Sequence, residues 1–394
     1  MSMPMDEHML PGRRRLLQAI AATAIASAFG SGCAGAASPA CTPWAEWKSF
    51  LARHIQEDGR VVDFATPDQR STSEGQSYAL FFALVANDPV LFDKLLGWAR
   101  HQLAGGRPDR SLPAWLWGRA EDGSWRVLDE NSASDADLWI AYCLIEAGRL
   151  WNRPGYLRSG LQMLALVRAQ EMVELPGFGP MLLPGRQGFA GKNRWTLNPS
   201  YLPLPLLRRF ATVDPQGNWT QLADRTAAMI HDSAPLGFAP DWIAWDGKRF
   251  LPDPARGNVG SYDAIRVYLW AGMTHARDPL RKRLLDDLSG PLQLLNAQGS
   301  FAEKVDTQRG VGTGAAPTGF AGALLPYLDA LGENALAKAQ AQLIPAARSA
   351  AAEKLPYYER TLVLFGKGWH EGRYRFTADG QLVPAWRSLC SARN

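Results

Sequence analysis

The sequence predicts an all-α protein: a double-layered (α/α)6 barrel of about twelve helices, with a small C-terminal hairpin. Three observations lead there. Apolar residues recur at helical spacing in twelve stretches, at roughly 43–55, 74–87, 88–103, 134–151, 154–172, 199–212, 217–232, 260–276, 278–296, 317–331, 333–350 and 354–368. The connections after helices two, four, six, eight and ten are short, as at Asn152-Arg153, whereas those before them are long and rich in Gly, Pro and Trp. Short links make antiparallel neighbours, so all the long loops fall at one end of the molecule. The third observation is burial. Even-numbered helices are apolar nearly all round, as in Tyr78 to Ala86, Leu138 to Ile145, Val267 to Met273 and Phe320 to Leu328. Odd-numbered ones, such as Pro154 to Glu171 and Glu333 to Ala350, carry Arg, Lys and Gln on one face. A helix apolar all round must be covered on every side, so six enclosed helices lie inside six half-exposed ones.

Residues 1–36 read as an export signal. Arg13, Arg14 and Arg15 precede an Ala-rich apolar stretch from Leu16 to Phe29, and Ala34-Gly35-Ala36 offers a cleavage site. The stretch is too short to span a membrane comfortably, and the arginines also permit twin-arginine export. Cys33 lacks the Leu expected three residues before a lipidated cysteine, since Gly30 stands there. A soluble periplasmic or secreted protein is therefore expected, with residues 37–394 as a single catalytic domain. At 394 residues, 46% hydrophobic and 20% charged, the chain can bury an ordinary core. No basic run beyond the signal suggests nucleic acid as a partner, and a monomer is expected.

Beyond the signal three cysteines remain. Cys143 sits inside the all-apolar fourth helix, where a lone thiol behaves as a small hydrophobe. Cys41 and Cys390 lie near the two ends of the chain, and an oxidising compartment would allow them to pair. The alternative is two unpaired thiols, because sequence alone does not fix connectivity. Few stretches alternate as strands do, and one candidate hairpin is Tyr374–Phe376 with Leu382–Val383, around the Asp379-Gly380 turn.

The fourth helix carries the strongest local signal. In Asn131-Ser-Ala-Ser-Asp-Ala-Asp137, Ser132 or Ser134 can cap the helix, and Asp135 and Asp137 fall in its first turn, where the helix dipole favours carboxylates. Taken alone, an acid at a helix start is most often only a cap. Here the pattern recurs. Glu74 opens the second helix, Tyr201 the sixth after Asn198-Pro199-Ser200, and Asp263 the eighth in Ser261-Tyr-Asp-Ala-Ile-Arg266. Inner helices run parallel, so three carboxylates and a phenol converge below the Trp-rich loops. Two carboxyl groups, one protonated and one ionised, are what glycosidic hydrolysis needs. Trp115 and Trp117 suit the apolar faces of sugar rings, although loop packing explains such tryptophans equally well. Other chemistries lack their motifs. There is no His-Glu-x-x-His, no Cys/His cluster, no Gly-x-Ser-x-Gly elbow and no Walker loop, so neither a metal nor another cofactor is expected.

Ala133-Ser-Asp-Ala-Asp137, followed by Ile140-Ala141, Leu144-Ile145, Ala147 and Trp151, resembles the signature of glycoside hydrolase family 8, departing from it at Cys143. Ser71-Thr-Ser-Glu-Gly-Gln-Ser-Tyr78, Asn198-Pro-Ser-Tyr201, Ser261 to Arg266 and Glu303-Lys-Val-Asp306 resemble the periplasmic endoglucanases of that family encoded with bacterial cellulose synthase. The resemblance implies an (α/α)6 barrel that cleaves a β-1,4-glucan with inversion of configuration. It implies Glu74 as general acid, Asp263 as general base, Asp135 as the residue that binds and distorts the sugar, and Tyr201 and Arg266 as groups that position water or base. It also implies a cellulose synthase complex as a partner. Family members acting on xylan, chitosan or mixed-linkage glucan, or a glucan-binding accessory protein, are the alternatives. The helix dipole raises a tension: Glu74 must be protonated to act as an acid, so burial and the charge of Asp135 must outweigh it. For an inverting pair the Glu74 and Asp263 carboxyls should lie about 6.5–9.5 Å apart.

Overall fold

A computed structural model describes residues 38–388 and 390. The export signal called over 1–36 lies outside the described residues. From Ser38 onward the chain forms one unit. Its helices are α1 (Ala45–His54), α2 (Ser73–Val85), α3 (Pro89–Trp98), α4 (Ser134–Leu150), α5 (Pro154–Gln170), α6 (Leu204–Val213), α7 (Trp219–Ser233), α8 (Ala264–Met273), α9 (Arg281–Asp287), α10 (Gly290–Gln298), α11 (Thr318–Leu331), α12 (Asn334–Leu343), the one-turn α13 (Ala350–Glu353), α14 (Tyr357–His370) and the short α15 (Ala385–Ser388).

The inner ring is α2, α4, α6, α8, α11 and α14. From Tyr78 to Val85, from Leu138 to Ala147 and from Ala264 to Met273 every residue is buried. Glycines let inner helices touch backbone to backbone. A Cβ on Gly366 of α14 would stand 1.7 Å from the Gly322 carbonyl oxygen of α11, and one on Gly272 of α8 would meet Pro326 and Tyr327 of α11 at 2.3 Å. The short turns at the far end use residues that tolerate the left-handed conformation: Asn87, Asn152 and Asn218, with φ of 57°, 53° and 56°.

The long connections carry short strands that the sequence reading did not anticipate. β1 (Ser71–Thr72), β2 (Leu116–Arg119) and β3 (Trp125–Asp129) form one antiparallel sheet. β4 (Met172–Leu175) pairs with β5 (Gly179–Leu182), and β6 (Trp195–Leu197), β7 (Ile243–Trp245) and β8 (Phe250–Pro252) make a second three-stranded sheet. β9 (Val259–Gly260) pairs with β10 (Ala302–Asp306), which pairs with β11 (Val311–Ala315). These strands are only two to five residues long, too short for alternation to register. Several of their partners are remote in sequence, as Ser71↔Trp117 and Trp195↔Trp245 are.

The expected hairpin is present as β12 (Tyr374–Phe376) and β13 (Leu382–Pro384). It plugs the end opposite the long loops: Tyr142 of α4 donates to the Gly380 carbonyl oxygen, and Tyr374 packs edge-on against Phe81 of α2. Cys41 and Cys390 are joined in a disulfide, tying the segment before α1 to the tail beyond the hairpin, and Cys143 is buried and free.

Three helices depart from the sequence reading. The ninth breaks into α9 and α10 at Ser289-Gly290-Pro291. Pro291 supplies no N–H, and Gly290 lies so close to Gly237 that a Cβ would stand 2.7 Å from its carbonyl oxygen. The eleventh stops at Leu343, two residues before Pro345. The sixth begins at Leu204, because Pro203 occupies its N-cap position. Tyr201 instead ends a separate 3-10 turn, Pro199–Tyr201, capped by the Asn198 side chain.

Candidate active site

Three inner helices begin with their own terminal N–H groups bonded in different ways, and this decides which carboxylates are free. At α2 the cap is Thr72, whose Oγ1 accepts from the Gly75 amide, so Glu74 keeps both oxygens for other partners. At α4 neither Ser132 nor Ser134 caps as expected. The N-cap position is Ala133, Ser132 donates to Glu171, and Asp135 Oδ1 accepts from its neighbouring Ala136 amide at 2.8 Å. At α8, Asp263 directly precedes the helix and makes no side-chain cap. The cap comes from another loop. Asp241 Oδ1 accepts from the amides of Ser261, Asp263 and Ala264 at 2.7, 3.1 and 2.7 Å.

One guanidinium gathers the freed acids. Arg266 points from α8 into the centre and is 2% exposed. Its Nη1 donates to Glu74 Oε2 and, at 3.2 Å, to the Tyr78 hydroxyl, and lies 3.6 Å from Asp135 Oδ2. Its Nη2 donates to Asp263 Oδ1 at 2.7 Å and to Ser200 Oγ at 3.0 Å. Trp242 Nε1 donates to Asp263 Oδ2 at 3.0 Å. Glu74 and Asp263 thus face each other across one arginine, with side chains 24% and 29% exposed, while that of Asp135 is 3% exposed beneath them. Asp135 Oδ2 has no hydrogen-bond partner among the described residues. Tyr201 lies close by, its ring 5.6 Å from the Arg266 guanidinium carbon and edge-on to Trp242 at 6.0 Å.

The electrostatics follow from three acids sharing one cation. Burial, then the charge of Glu74, pushes the Asp135 carboxyl well above the usual range, against the pull of Arg266. Burial raises Asp263 to about 6. Arg266 and the Trp242 hydrogen bond oppose the rise, and the charges of Asp241 and Glu74 add to it. Burial also holds the Tyr201 hydroxyl in its protonated form, far above its ordinary value. Burial and shared charge thus raise the Asp135 and Asp263 carboxyls at the mouth of the barrel to unlike degrees.

The two tryptophans separate. Trp115 is half-buried on the segment that links two active helices: its carbonyl accepts from Ser73 at the start of α2, and its amide donates to Asn131 just before α4. Trp117 is 9% exposed and does not present a free face. Trp98 meets it edge-on, Trp125 stacks on it at 5.3 Å, and the Arg60 guanidinium covers it at 4.4 Å. Trp125 of the paired strand, Trp98 of α3 and Arg60 fill the space around the ring, an arrangement that favours packing over a sugar platform at Trp117.

Sequence reasoning missed Asp241, Trp242, Ser200, Tyr78 and Tyr358. Tyr358 donates to the Tyr262 carbonyl and lies 5.9 Å from the Arg266 guanidinium carbon. Tyr78 was legible as part of an apolar helix, but the inward aim of its hydroxyl was not. Asp241-Trp242 lies in a loop with no periodicity to mark it. A cavity of about 900 Å3 lined by His231, Leu236, Gln293 and Gly310 lies elsewhere and contains none of the cluster residues. Among the described residues no group of three or more His, Cys, Asp or Glu is arranged to hold a metal ion.

Barrel and carboxylate cluster together define a glycoside hydrolase. The model for "Glycosyl hydrolases family 8" matches residues 17–372, and the chain belongs to that family. It is 65% identical over 381 residues to an endoglucanase of Xanthomonas axonopodis pv. citri (strain 306), covering 96% of this chain and 99% of that protein. It is 41% identical to an endoglucanase of Escherichia coli (strain K12), covering 89% of this chain and 94% of that protein. The crystal structure of an endo-1,4-D-glucanase from Vibrio fischeri ES114 superposes with a TM-score of 0.80 at 42% identity, covering 87% of this chain and 99% of that one. The (α/α)6 architecture is that of the family.

Proposed function

We propose that the protein is an endo-acting β-1,4-glucanase that cuts cellulose-type chains by single displacement. The observation that carries this reading is the convergence of Glu74, Asp135 and Asp263, from three helix starts, on the buried Arg266. Glu74 gives its proton to the leaving glycosidic oxygen. Asp263 takes a proton from a water that attacks the anomeric carbon from the opposite face of the ring. The new C–O bond forms as the old one breaks, and the net change is addition of one water. Asp135, buried below the pair with one oxygen lacking a hydrogen bond among the described residues, binds the sugar at the cleaved bond and holds it distorted. Tyr201 and Arg266 orient the water and keep Asp263 ionised, and Trp115 contacts a ring face at the edge of the cleft.

Two relatives named endoglucanase and a solved structure named endo-1,4-D-glucanase support a 1,4-linked glucan substrate. A likeness to a cold-adapted family 8 xylanase at 16% identity speaks to the fold alone and does not favour xylan. Export to the periplasm or beyond, and service to a cellulose synthase complex, follow from the arginine-led N-terminus and the motif resemblance. Among the described residues no helix is long and apolar enough to cross a membrane.

The reading is tested by product release from carboxymethyl cellulose, mixed-linkage glucan, xylan and chitosan, with proton NMR of the first turnovers. Cellulose-type chains should be cut fastest, and the new reducing end should appear as the α-anomer. A β-anomer appearing first would overturn single displacement and the role of Asp263. Preference for xylan or chitosan would overturn the substrate.

A further inference from the structure

Asp263 stands in helical conformation, with φ −82° and ψ −50°, at the position before α8. The first amides of any helix lack intrahelical acceptors and need a partner. A residue in that helical conformation does not turn its side chain back as a cap, and Ser261, whose carbonyl takes the first helical bond, donates its hydroxyl to the Glu303 carbonyl at 2.7 Å. Asp241 supplies the partner instead, with one oxygen shared among three amides of the Ser261–Ala264 turn. Asp241 is itself anchored, its amide donating to the Val259 carbonyl at 2.8 Å. The next residue, Trp242, completes the arrangement by donating to Asp263 Oδ2. Trp242 is fixed in turn, with the ring of Phe189 stacked at 6.0 Å and the Arg256 guanidinium at 4.2 Å. Two adjacent residues of one loop therefore hold the backbone under Asp263 and one oxygen of its carboxylate, while Arg266 holds the other.

We infer that Asp241 is a positioning residue of the hydrolytic reaction: by capping the first turn of α8 from a separate loop, it fixes the backbone that carries Asp263 and keeps that carboxylate aimed at the attacking water. The inference rests on the reading of Asp263 as general base. Asp241 touches no substrate in this role. It acts through Asp263, and a displacement of that carboxylate by about an ångström is enough to cost on the order of a hundredfold in rate.

Asp241 also places a negative charge beside Asp263. The other groups facing Asp263 are Arg266 on its own helix, Glu74 of α2, Asp135 of α4, Tyr201 of the 3-10 turn and Tyr358 of α14, besides the Trp242 indole. Burial raises the Asp241 carboxyl above its ordinary range, while its three amide bonds favour the ionised form. Removing this charge makes Asp263 easier to ionise.

The test uses Asp241→Ala, Asp241→Asn and, as a control on the underlying reading, Asp263→Asn, assayed on a soluble cello-oligosaccharide across pH. Asp241→Ala should lower kcat about 10- to 100-fold with KM within about threefold, since positioning is lost and binding is not. Asp241→Asn keeps an oxygen acceptor and should recover most of that kcat. Its acid limb of kcat/KM should move to lower pH by on the order of half a unit. A wild-type kcat in Asp241→Ala would overturn the inference. If that variant does not fold, an Asp241→Asn limb that stays in place overturns it. Asp263→Asn separates the two failures. If it is inactive while the Asp241 variants behave as wild type, only the role of Asp241 falls. If it is active, the base assignment falls and the inference with it.

Discussion

The two ends of α4 bury carboxylates in opposite ways. Near its C-terminal end Glu146 is fully enclosed and over-supplied with partners: Arg209 Nε at 2.6 Å on one oxygen, Arg149 Nε at 3.0 Å and the Leu382 amide at 2.8 Å on the other. Two cations serve one acid, and the β12–β13 hairpin closes over them. At its N-terminal end Asp135 shares one guanidinium with Glu74 and Asp263, and one of its oxygens has no hydrogen bond among the described residues. A buried acid with every oxygen bonded holds structure, whereas one with an oxygen left over has hydrogen-bonding capacity for a ligand. The closed end is built for stability and the open end for chemistry, on the same helix and with the same functional group.

The sharpest way to break this contrast is to remove one acid at each end. Glu74→Gln should lose about two to four orders of magnitude in kcat, the usual share of a general acid, while still binding cello-oligosaccharides and melting no lower than wild type. Near-normal turnover would reject the assignment. Glu146→Gln should do the reverse. It leaves the buried Arg209 and the half-buried Arg149 short of their charge partner, and urea titration should show a loss of about 3–5 kcal/mol with kcat at low temperature unchanged. A stable Glu146→Gln, or one with impaired chemistry, would show that the ends are not so divided.

The disulfide belongs to the closed end, where Cys41 and Cys390 sit beside the start of α1 and the tail after β13. Reducing it should cost about 2–5 kcal/mol of stability and leave the initial rate below the melting transition untouched. Non-reducing peptide mapping checks the bond itself, and finding both thiols alkylated without reductant would remove it.

Two pH effects are smaller and distinguish the open end further. Because Asp263 must be ionised to accept a proton and titrates at about 6, kcat/KM should fall as pH drops below about 6. A profile flat down to pH 5 would contradict it. Asp137, on the first turn of α4, lies beside Glu171 at the end of α5; burial pushes both carboxyls up, Glu171 from 4.5 to about 7. At Glu171 the folded state then binds more protons than the unfolded state between those values. The contribution of Glu171 is whole below about 4.5 and is lost as pH rises through about 7. Glu171→Gln should flatten that part of the stability–pH curve, and an unchanged slope would place the proton elsewhere.

Periodicity alone set the helical class, the two layers and the end at which the long loops gather. An enclosed helix cannot hide its all-apolar character, and short links force antiparallel neighbours. Glu74, Asp135, Tyr201, Asp263 and Arg266 were legible because each stands at or near the start of a predicted inner helix, or one turn along it. The sequence did not determine which acid was a cap and which was free. That depended on Thr72 and Asp241 taking over the capping, and Asp241 stands 22 positions from Asp263 in a loop without pattern. Nor could it separate Trp115 from Trp117, since the faces of Trp117 are covered by Trp98, Trp125 and Arg60, brought in by strand pairing and loop packing. Patterns with a period of a few residues record which side of an element is buried. What a side chain meets across the cleft depends on residues far away in the chain, and only the folded structure brings them together.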